Sequence, residues 1–445
     1  MRHSSNSLCR LVQQNLAHLR SSLSALDCQK LARQSGFLLR SPRKIPILDL
    51  VLALAALAAE TVLSLERIAA VVGLAAQSTY SKQAFHKRLR PQLEQFLAEV
   101  AAALFGQLAL PIKNLGSLSC FRRVLLHDST VEQLPQRLAS AFPGPRNGRR
   151  RSYASLKIQF ICDLLSSQVL QLSLSGFTRN DQCASPDILP LLKAGDLIIR
   201  DLGYFVLTVL EQISLAQAFF LSRYRHGVSL FDAQTGQPLD LAARLRAGQF
   251  WDGPVLLGQQ KFAVRLVAQP VPEAVANERR RKARNNRDRR LNPSAEHLFL
   301  LGWNIFVTNV PASIWPPKVL APMYRLRWRI EIIFKAWKSH LGLRQINCRT
   351  ADLLRLSVMT KLLFCIAVYR LCESIELLGH YPQHLSLLRL AKILGEFSSW
   401  FATIILDVSL PQWLQWHLQH HAFYEKRKDR KNFYEILAAT RTCLG

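Results

Sequence analysis

Residues 120–223 show the patterns of alternating strands and helices, and two of the predicted strands end in an aspartate. The segment 121–127 leads into Asp128, and the apolar segment 196–200 leads into Asp201. The other elements are a predicted hairpin at 154–163 and 168–175, helices at 186–194 and 206–215, and a strand at 218–223. This order predicts an α/β domain with a mixed sheet.

Asp128 and Asp201 are candidate catalytic residues because of their positions after strands. The carboxyl end of a strand is where a sheet exposes functional groups, and a buried charge there is costly unless it has a purpose. An aspartate in this position also commonly starts a turn or caps the next helix. Taken one at a time, the two residues leave both interpretations open.

The segment 324–338 is basic and aromatic, and it is predicted to be one helix with a polar stripe. Tyr324, Arg327, Glu331 and Lys338 recur at spacings that place all four on one face of a helix with about 3.6 residues per turn. The neighbouring apolar residues would bury the adjacent side. Glu331 is then either a surface acid in a salt bridge or a functional carboxylate facing a groove.

The overall charge predicts a polyanionic partner. The chain has 58 Lys and Arg against 30 Asp and Glu, a formal net charge of +28. Nucleic acid is the first expectation, because Lys and Arg side chains that neutralise phosphates release the counterions bound to them. An anionic membrane surface is the alternative. The apolar segment 47–59 carries Asp49 and is too short to span a bilayer. With no signal-peptide pattern, a cytoplasmic protein is expected.

Residues 1–115 are predicted to form a helical DNA-binding domain. Ser64 and Ser81 are candidate N-caps of two short helices separated by a turn, a spacing typical of a helix-turn-helix. The side chains that the second helix would offer to DNA are Lys82, Gln83, His86, Lys87 and Arg88. Two amphipathic helices that simply pack together would give the same pattern, so the spacing favours neither interpretation.

Residues from about 224 to 298 are predicted to interrupt the α/β domain as a β-rich insertion. They contain polar turns, a predicted strand at 261–271 and a basic run at 279–290. The basic run is expected to be disordered or extended until phosphates order it. A strand is predicted at 298–310. The C-terminal region, 346–445, is predicted to be helical and a possible dimerisation surface.

Three acids in these contexts have the chemistry of a metal site for phosphoryl transfer. Carboxylate oxygens suit Mg²⁺ or Mn²⁺, and a pair of such ions can activate an attacking oxygen and stabilise a leaving one. The nine cysteines are scattered without a Cys-x-x-Cys pair, which disfavours a zinc or disulfide framework.

Five motifs resemble those of one known family. The Tyr-Arg-Glu-Lys stripe matches at every spacing the signature of DDE transposases of the insertion sequence four family. HDST around Asp128 and RDLGYF around Asp201 are similar to the family's two aspartate motifs. FLSRYR with Arg223 resembles its fifth strand, and TNV with Asn309 also fits. Leu202 departs from the basic residue that many relatives have there.

The resemblance implies a fold and an activity. The fold would be an α/β catalytic core at 116–345, RNase H-like, with a mixed five-stranded sheet and the β-rich insertion, flanked by helical N- and C-terminal regions. The activity would be Mg²⁺-dependent (or Mn²⁺-dependent) cleavage of double-stranded DNA at terminal inverted repeats and strand transfer into target DNA, by a homodimer holding two element ends. Two rivals are a catalytically silent DNA-binding protein derived from a transposase, and a metal-dependent nuclease of the same fold.

The resemblance also assigns residues. The ligands of the two metal ions would be Asp128, Asp201 and Glu331. Contacts to phosphates near the cleaved end would come from Tyr324, Arg327 and Lys338. Arg223 is a further candidate for binding DNA.

Overall fold

The computed structural model describes most of the chain. The described residues are 14–15, 17–39, 45–58, 60, 63–76, 78–107, 116–146, 152–248, 250–285, 292–346, 348–378, 384–396 and 431–441. Part of the predicted basic run, 286–290, and the C-terminal residues 397–430 lie outside them.

The described residues form helices and strands with these bounds. The helices are α1 Cys28–Gln34, α2 Ile47–Leu57, α3 Leu65–Ala75, α4 Lys82–His86, α5 Pro91–Gln107, α6 Asp181–Ala184, α7 Leu207–Leu215, α8 Leu241–Arg246, α9 Glu273–Arg284, α10 Ala295–Leu300, α11 Pro317–Arg325, α12 Trp328–Ser339, α13 Ala351–Leu378, α14 Leu387–Glu396 and α15 Phe433–Arg441. The strands are β1 Val124–Leu134, β2 Pro143–Arg146, β3 Ser152–Asp163, β4 Val169–Gly176, β5 Leu197–Arg200, β6 Phe219–Arg223, β7 Leu230–Asp232, β8 Trp251–Leu257, β9 Phe262–Pro270 and β10 Trp303–Thr308. Both element types are interleaved, so the chain has a mixed α/β fold.

The chain divides into two compact units. The first consists of Met1–Lys113, Ser129–Arg179 and Trp328–Asn432, and the second of Asn114–Asp128, Asn180–Arg327 and Phe433–Gly445. The predicted domain bounds at 115 and 345 remain a prediction.

The first unit is built around the long helix α13. This helix is buried along most of its length and packs against α2, α5, α12 and α14. Strand β3 pairs antiparallel with β4, as the sequence predicts, and also with the short strand β2. Among the described residues, none of the helices has both the length and the apolar character needed to cross a membrane.

The predicted helix-turn-helix segment in the first unit consists of α3 and the five-residue helix α4, which pack together. Ser64 is the N-cap of α3, where its hydroxyl accepts a hydrogen bond from the backbone N–H of Arg67 at 3.1 Å, as predicted. Ser81 occupies the N-cap position of α4 but makes no side-chain capping bond.

The second unit is built on a mixed sheet. Strand β5 lies between β1 and β6 and is parallel to both, with the register of β1 running from Val124 opposite Leu197 to His127 opposite Arg200. Beyond β6 the order continues β10, β9, β8 and β7, all antiparallel. The sheet is therefore larger than the five strands predicted, because the strands of the insertion extend it.

The basic run is partly folded, contrary to prediction, since its first half belongs to α9. Arg279 donates to the carbonyl oxygens of Leu301 and Trp303, at 3.4 and 3.1 Å, and Arg280 donates to that of Leu298 at 3.1 Å. These carbonyls lie at and just beyond the end of α10, where cationic side chains are favourable. Two arginines are thus structural and hold α9 against α10.

Two predicted elements have different bounds in the structure. The strand predicted from residue 298 begins only at Trp303, because Ser294 caps α10 by accepting from the N–H of His297 at 3.0 Å. The single helix predicted at 324–338 is two helices, α11 and α12. Between them the N–H groups of Leu326 and Arg327 bond to carbonyls three residues back, which tightens the chain into a turn.

Asn309 ties β10 to β6 and to the end of α7. Its Oδ1 accepts from the N–H of Phe220 at 2.8 Å, and its Nδ2 donates to Ala218 O at 2.8 Å and Ser214 Oγ at 3.0 Å.

Asn309→Ala is expected to lower the free energy of unfolding by about 2 kcal/mol, since it leaves a backbone N–H and a carbonyl without partners. Urea unfolding would measure this. Asn277→Ala, which removes a solvent-exposed acceptor of Arg280, should cost roughly 0.5 kcal/mol or less, and equal losses would contradict the account.

Candidate active site

Asp128 and Asp201 occupy equivalent positions on two paired parallel strands. His127 and Arg200 are the last residues in register between β1 and β5, and each aspartate immediately follows its strand's last pair. The sequence predicted that Asp128 would end its strand, but β1 continues beyond it to Leu134. The pairing with β5 nevertheless ends just before it, so the two carboxylates emerge at the same edge of the paired region.

Arg327 joins the two aspartates. Its Nη1 donates to Asp128 Oδ2 at 3.0 Å, and its Nη2 lies 3.6 Å from Asp201 Oδ1. The side chains of Arg327 and Asp128 are 11% and 15% exposed, whereas that of Asp201 is 46% exposed. A guanidinium this buried is stabilised by opposite charge on both sides, and it offsets the repulsion of two adjacent carboxylates.

Tyr324 lies beneath this ion pair and next to a second base. The guanidinium carbons of Arg327 and Arg223 lie 5.9 and 5.3 Å from the centre of its ring. The Tyr324 side chain is buried, and burial is the main reason that its pKa is raised above the usual value. Arg223 is exposed at the end of β6. Tyr324, Arg327 and Arg223 therefore form one continuous surface with the aspartate pair in the second unit.

Buried polar residues fix the turn that carries Asp201. Arg200 donates to the carbonyl oxygen and the hydroxyl of Ser185 at 2.9 and 3.0 Å, and Ser185 Oγ donates to Tyr204 O at 2.9 Å. Burial lowers the pKa of the Arg200 guanidinium to about 10. The ring of Tyr204 lies 4.2 Å from that of His127, centre to centre. These contacts connect the end of β5 to the part of β1 that precedes Asp128. They were not predicted from the sequence.

Gly203 allows a close approach of another acid. A Cβ at this position would lie 3.0 Å from Asp181 Oδ2. Asp181, at the start of α6, thus lies directly against the turn after Asp201.

Helix α12 of the first unit carries Glu331 and Lys338. Glu331 is half-buried in the first turn. Lys338 Nζ donates to Val131 O and lies 2.7 Å from Glu132 Oε1, so its ammonium is held by the end of β1. Its predicted contact with DNA stays a prediction.

A buried ion pair also fixes α12. Arg329, whose side chain is 1% exposed, pairs with Glu373 of α13 and lies over the ring of Tyr369, 5.7 Å from its centre. Sequence reasoning missed this pair. The available signal was a base, Arg329, placed between apolar residues on the side of the helix predicted to be buried.

The predicted DNA contacts of the helix-turn-helix segment differ in their surroundings. His86 and Lys87 are exposed. Lys82 is exposed and forms an ion pair with Glu66 at 2.8 Å, which raises the pKa of Lys82. Arg88 is half-buried and donates to Ala84 O at 2.6 Å, and burial lowers its pKa. Binding of DNA by these residues remains a prediction.

The chemistry of the aspartate pair fits a hard divalent cation. Carboxylate oxygens are the donors that Mg²⁺ and Mn²⁺ take, and a cationic group of the protein already lies between the two carboxylates. Across the described part of the chain, no group of three or more His, Cys, Asp and Glu residues lies together in an arrangement able to hold a metal ion. A third ligand is therefore assigned by resemblance only.

Comparison with known proteins gives a consistent picture. The family model described as "Transposase DDE domain" matches residues 119–367. The transposase for insertion sequence element IS231B of Bacillus thuringiensis subsp. berliner is 31% identical over 62% of this chain and 62% of its own length. That of IS231D, from Bacillus thuringiensis subsp. finitimus, is 31% identical over 70% and 69%. That of IS1151, from Clostridium perfringens, is 25% identical over 64% of each. The chain thus spans slightly less than two thirds of the first of these relatives.

Proposed function

The chain belongs to the transposase DDE domain family, and we propose that it is a DNA transposase. It would cut double-stranded DNA at the terminal inverted repeats of an insertion sequence and join the freed ends to target DNA. The observation that carries this proposal is the pair of aspartates that follow the last paired residues of β1 and β5.

The proposed metal ligands are Asp128, Asp201 and Glu331, in a catalytic core of RNase H-like fold. Two Mg²⁺ or Mn²⁺ ions, when bound, would supply the positive charge that activates the attacking oxygen and stabilises the leaving one. The two aspartates are supported by their register and by their shared cation, Arg327. Glu331 is supported by its spacing from Arg327, which matches the family signature.

Basic side chains of the protein would hold and orient the DNA. Arg223 is exposed next to Tyr324 and Arg327, where a backbone phosphate could bind to more than one guanidinium. Lys338 would contribute from α12. We propose that the helical N-terminal domain binds the terminal repeats through Lys82, His86, Lys87 and Arg88, and that a homodimer holds two element ends, with the C-terminal region as the dimer contact.

Incubation of the purified protein with a labelled inverted-repeat end and a plasmid target tests the activity. With Mg²⁺, and not with Ca²⁺, nicked ends and then end-to-plasmid joints are expected. Nicks without joints would identify a nuclease, and DNA binding without either product would identify a catalytically silent DNA-binding protein. Either outcome would replace the proposed function.

Salt dependence checks the phosphate-driven interface. Raising the salt concentration from about 50 to 200 mM should weaken binding to an inverted-repeat duplex by about a hundredfold or more, because each neutralised phosphate releases counterions. Fluorescence anisotropy at several salt concentrations gives the slope, and a flat slope would contradict binding through the protein's basic residues.

A further inference from the structure

The second unit supplies its own cation to the aspartate pair, and we propose that Arg327 is an internal counter-ion that competes with divalent metal ions for Asp128 and Asp201 until a DNA phosphate draws it away. This inference rests on the proposed function for the identity of the metal and of the DNA. It makes metal loading depend on DNA through one side chain.

The contacts of Arg327 place its charge beside an oxygen of each proposed metal-binding carboxylate. Nη1 donates to Asp128 Oδ2 at 3.0 Å, and Nη2 faces Asp201 Oδ1 at 3.6 Å. A Mg²⁺ ion needs carboxylate oxygens at about 2.0–2.1 Å and tolerates little departure from octahedral geometry. The guanidinium occupies one lone pair of the Asp128 carboxylate and places a full positive charge beside both carboxylates, so it disfavours a second cation at the same acids.

Competition is strong because Arg327 is buried. The whole residue is 9% exposed and its charged end lies near the ring of Tyr324. Two cations close together repel much more strongly here than in water, because the surroundings screen charge poorly. Either the metal binds weakly while Arg327 keeps its contacts, or Arg327 must give them up.

A phosphate is the partner that can take Arg327 from the carboxylates. The planar guanidinium binds phosphate as well as carboxylate through two parallel hydrogen bonds. Arg223, which is exposed and lies over the same ring of Tyr324, offers an arriving phosphate its first contact within reach of Arg327. Once the guanidinium turns to the phosphate, both aspartates are available to metal.

The arrangement predicts reciprocal coupling. If DNA removes a competitor of the metal, DNA raises metal affinity, and by linkage the metal raises DNA affinity by the same factor. A protein without DNA would then hold metal weakly, which limits cleavage to the moment when an end is bound.

Binding of Mn²⁺ by the full chain without DNA tests the proposal, with free Mn²⁺ followed by electron paramagnetic resonance. Arg327→Gln removes the competing charge and should bind Mn²⁺ about tenfold more tightly than the parent. Arg225→Gln is the matched control, because it removes an equal charge from an exposed position of the same unit, and its Mn²⁺ affinity should stay within about twofold of the parent. Asp128→Asn identifies the site, because it should abolish the Mn²⁺ binding that is attributed to the aspartate pair.

Adding an inverted-repeat duplex gives a second readout. The parent should gain Mn²⁺ affinity when DNA is added, and Arg327→Gln should gain much less because its competitor is already absent. Arg327→Lys, which keeps a charge but cannot contact both carboxylates at once, should lie between them. If Arg327→Gln does not fold, as shown by the loss of a cooperative thermal transition, Arg327→Lys still tests the proposal.

The outcomes separate the inference from the function on which it rests. If Asp128→Asn leaves Mn²⁺ binding unchanged, the metal site of the proposed function is wrong. If Asp128→Asn abolishes binding but both Arg327 variants bind Mn²⁺ no more tightly than the parent, the proposed function stands and the counter-ion role is overturned.

Discussion

Asp201→Asn is expected to slow cleavage of a labelled DNA end by about a thousandfold or more. The change keeps the shape of the side chain but removes the charge of a proposed metal ligand, and the loss of several kcal/mol of charge stabilisation corresponds to this factor. Asp201 is suited to the test because 46% of its side chain is exposed, so the folding cost of the substitution is small. Single-turnover rates with excess protein measure the chemical step.

DNA binding separates this effect from misfolding. Binding of the uncleaved duplex should equal or exceed that of the parent, because the substitution removes a negative charge near the phosphates. Asp352→Asn is the matched control, since it makes the same chemical change at an exposed carboxylate in the first turn of α13. Cleavage by Asp201→Asn at a rate close to that of this control would remove Asp201 from the active site.

Glu373→Ala is expected to lower the free energy of unfolding by about 3–5 kcal/mol, the usual cost of leaving a buried charge without its partner. The uncompensated charge is that of Arg329, which is 1% exposed within the first unit. Urea unfolding followed by circular dichroism would show the shift. Glu278→Ala removes the exposed partner of Arg281 and Lys282 and should cost roughly 0.5 kcal/mol or less.

A double variant distinguishes the charge from the packing. Arg329→Leu with Glu373→Leu replaces the pair by apolar groups and should recover most of the stability lost by Glu373→Ala. If the double variant is as unstable as the single one, the pair stabilises the unit by its shape rather than by compensation of charge. Cleavage should also be lost in Glu373→Ala, because α12 carries Glu331, which is a proposed metal ligand.

The sequence alone predicted the elements whose patterns are local. The strands before Asp128 and Asp201, the hairpin β3–β4 and the capping of α3 by Ser64 are confirmed. The family was also predictable, because the spacing of the Tyr-Arg-Glu-Lys signature survives any misjudgement of element bounds, and the family match confirms it.

What the sequence did not predict depends on partners far along the chain. The aspartate that Arg327 contacts is 199 residues away, and the residue that Arg329 contacts is 44 away. Arg279 is ordered by carbonyl groups of a later segment rather than by phosphates. The break between α11 and α12 is also a tertiary effect, since nothing but Pro322 interrupts the helical pattern there.

The pairing of β10 has a consequence for how such chains can vary in length. This strand bonds to β6 on one side and to β9 on the other, so β7, β8 and β9 belong to the same sheet as the strands that precede Asp128 and Asp201 and cannot swing as a separate lid. Residues added within β6, β9 or β10 would shift the register of that ladder. The turn at 233–236, by contrast, connects β7 to its bridge partner Pro238, and Gln234 and Thr235 at its tip are exposed. It is where a tag or a fused domain should be accommodated with the least disturbance to the aspartate pair.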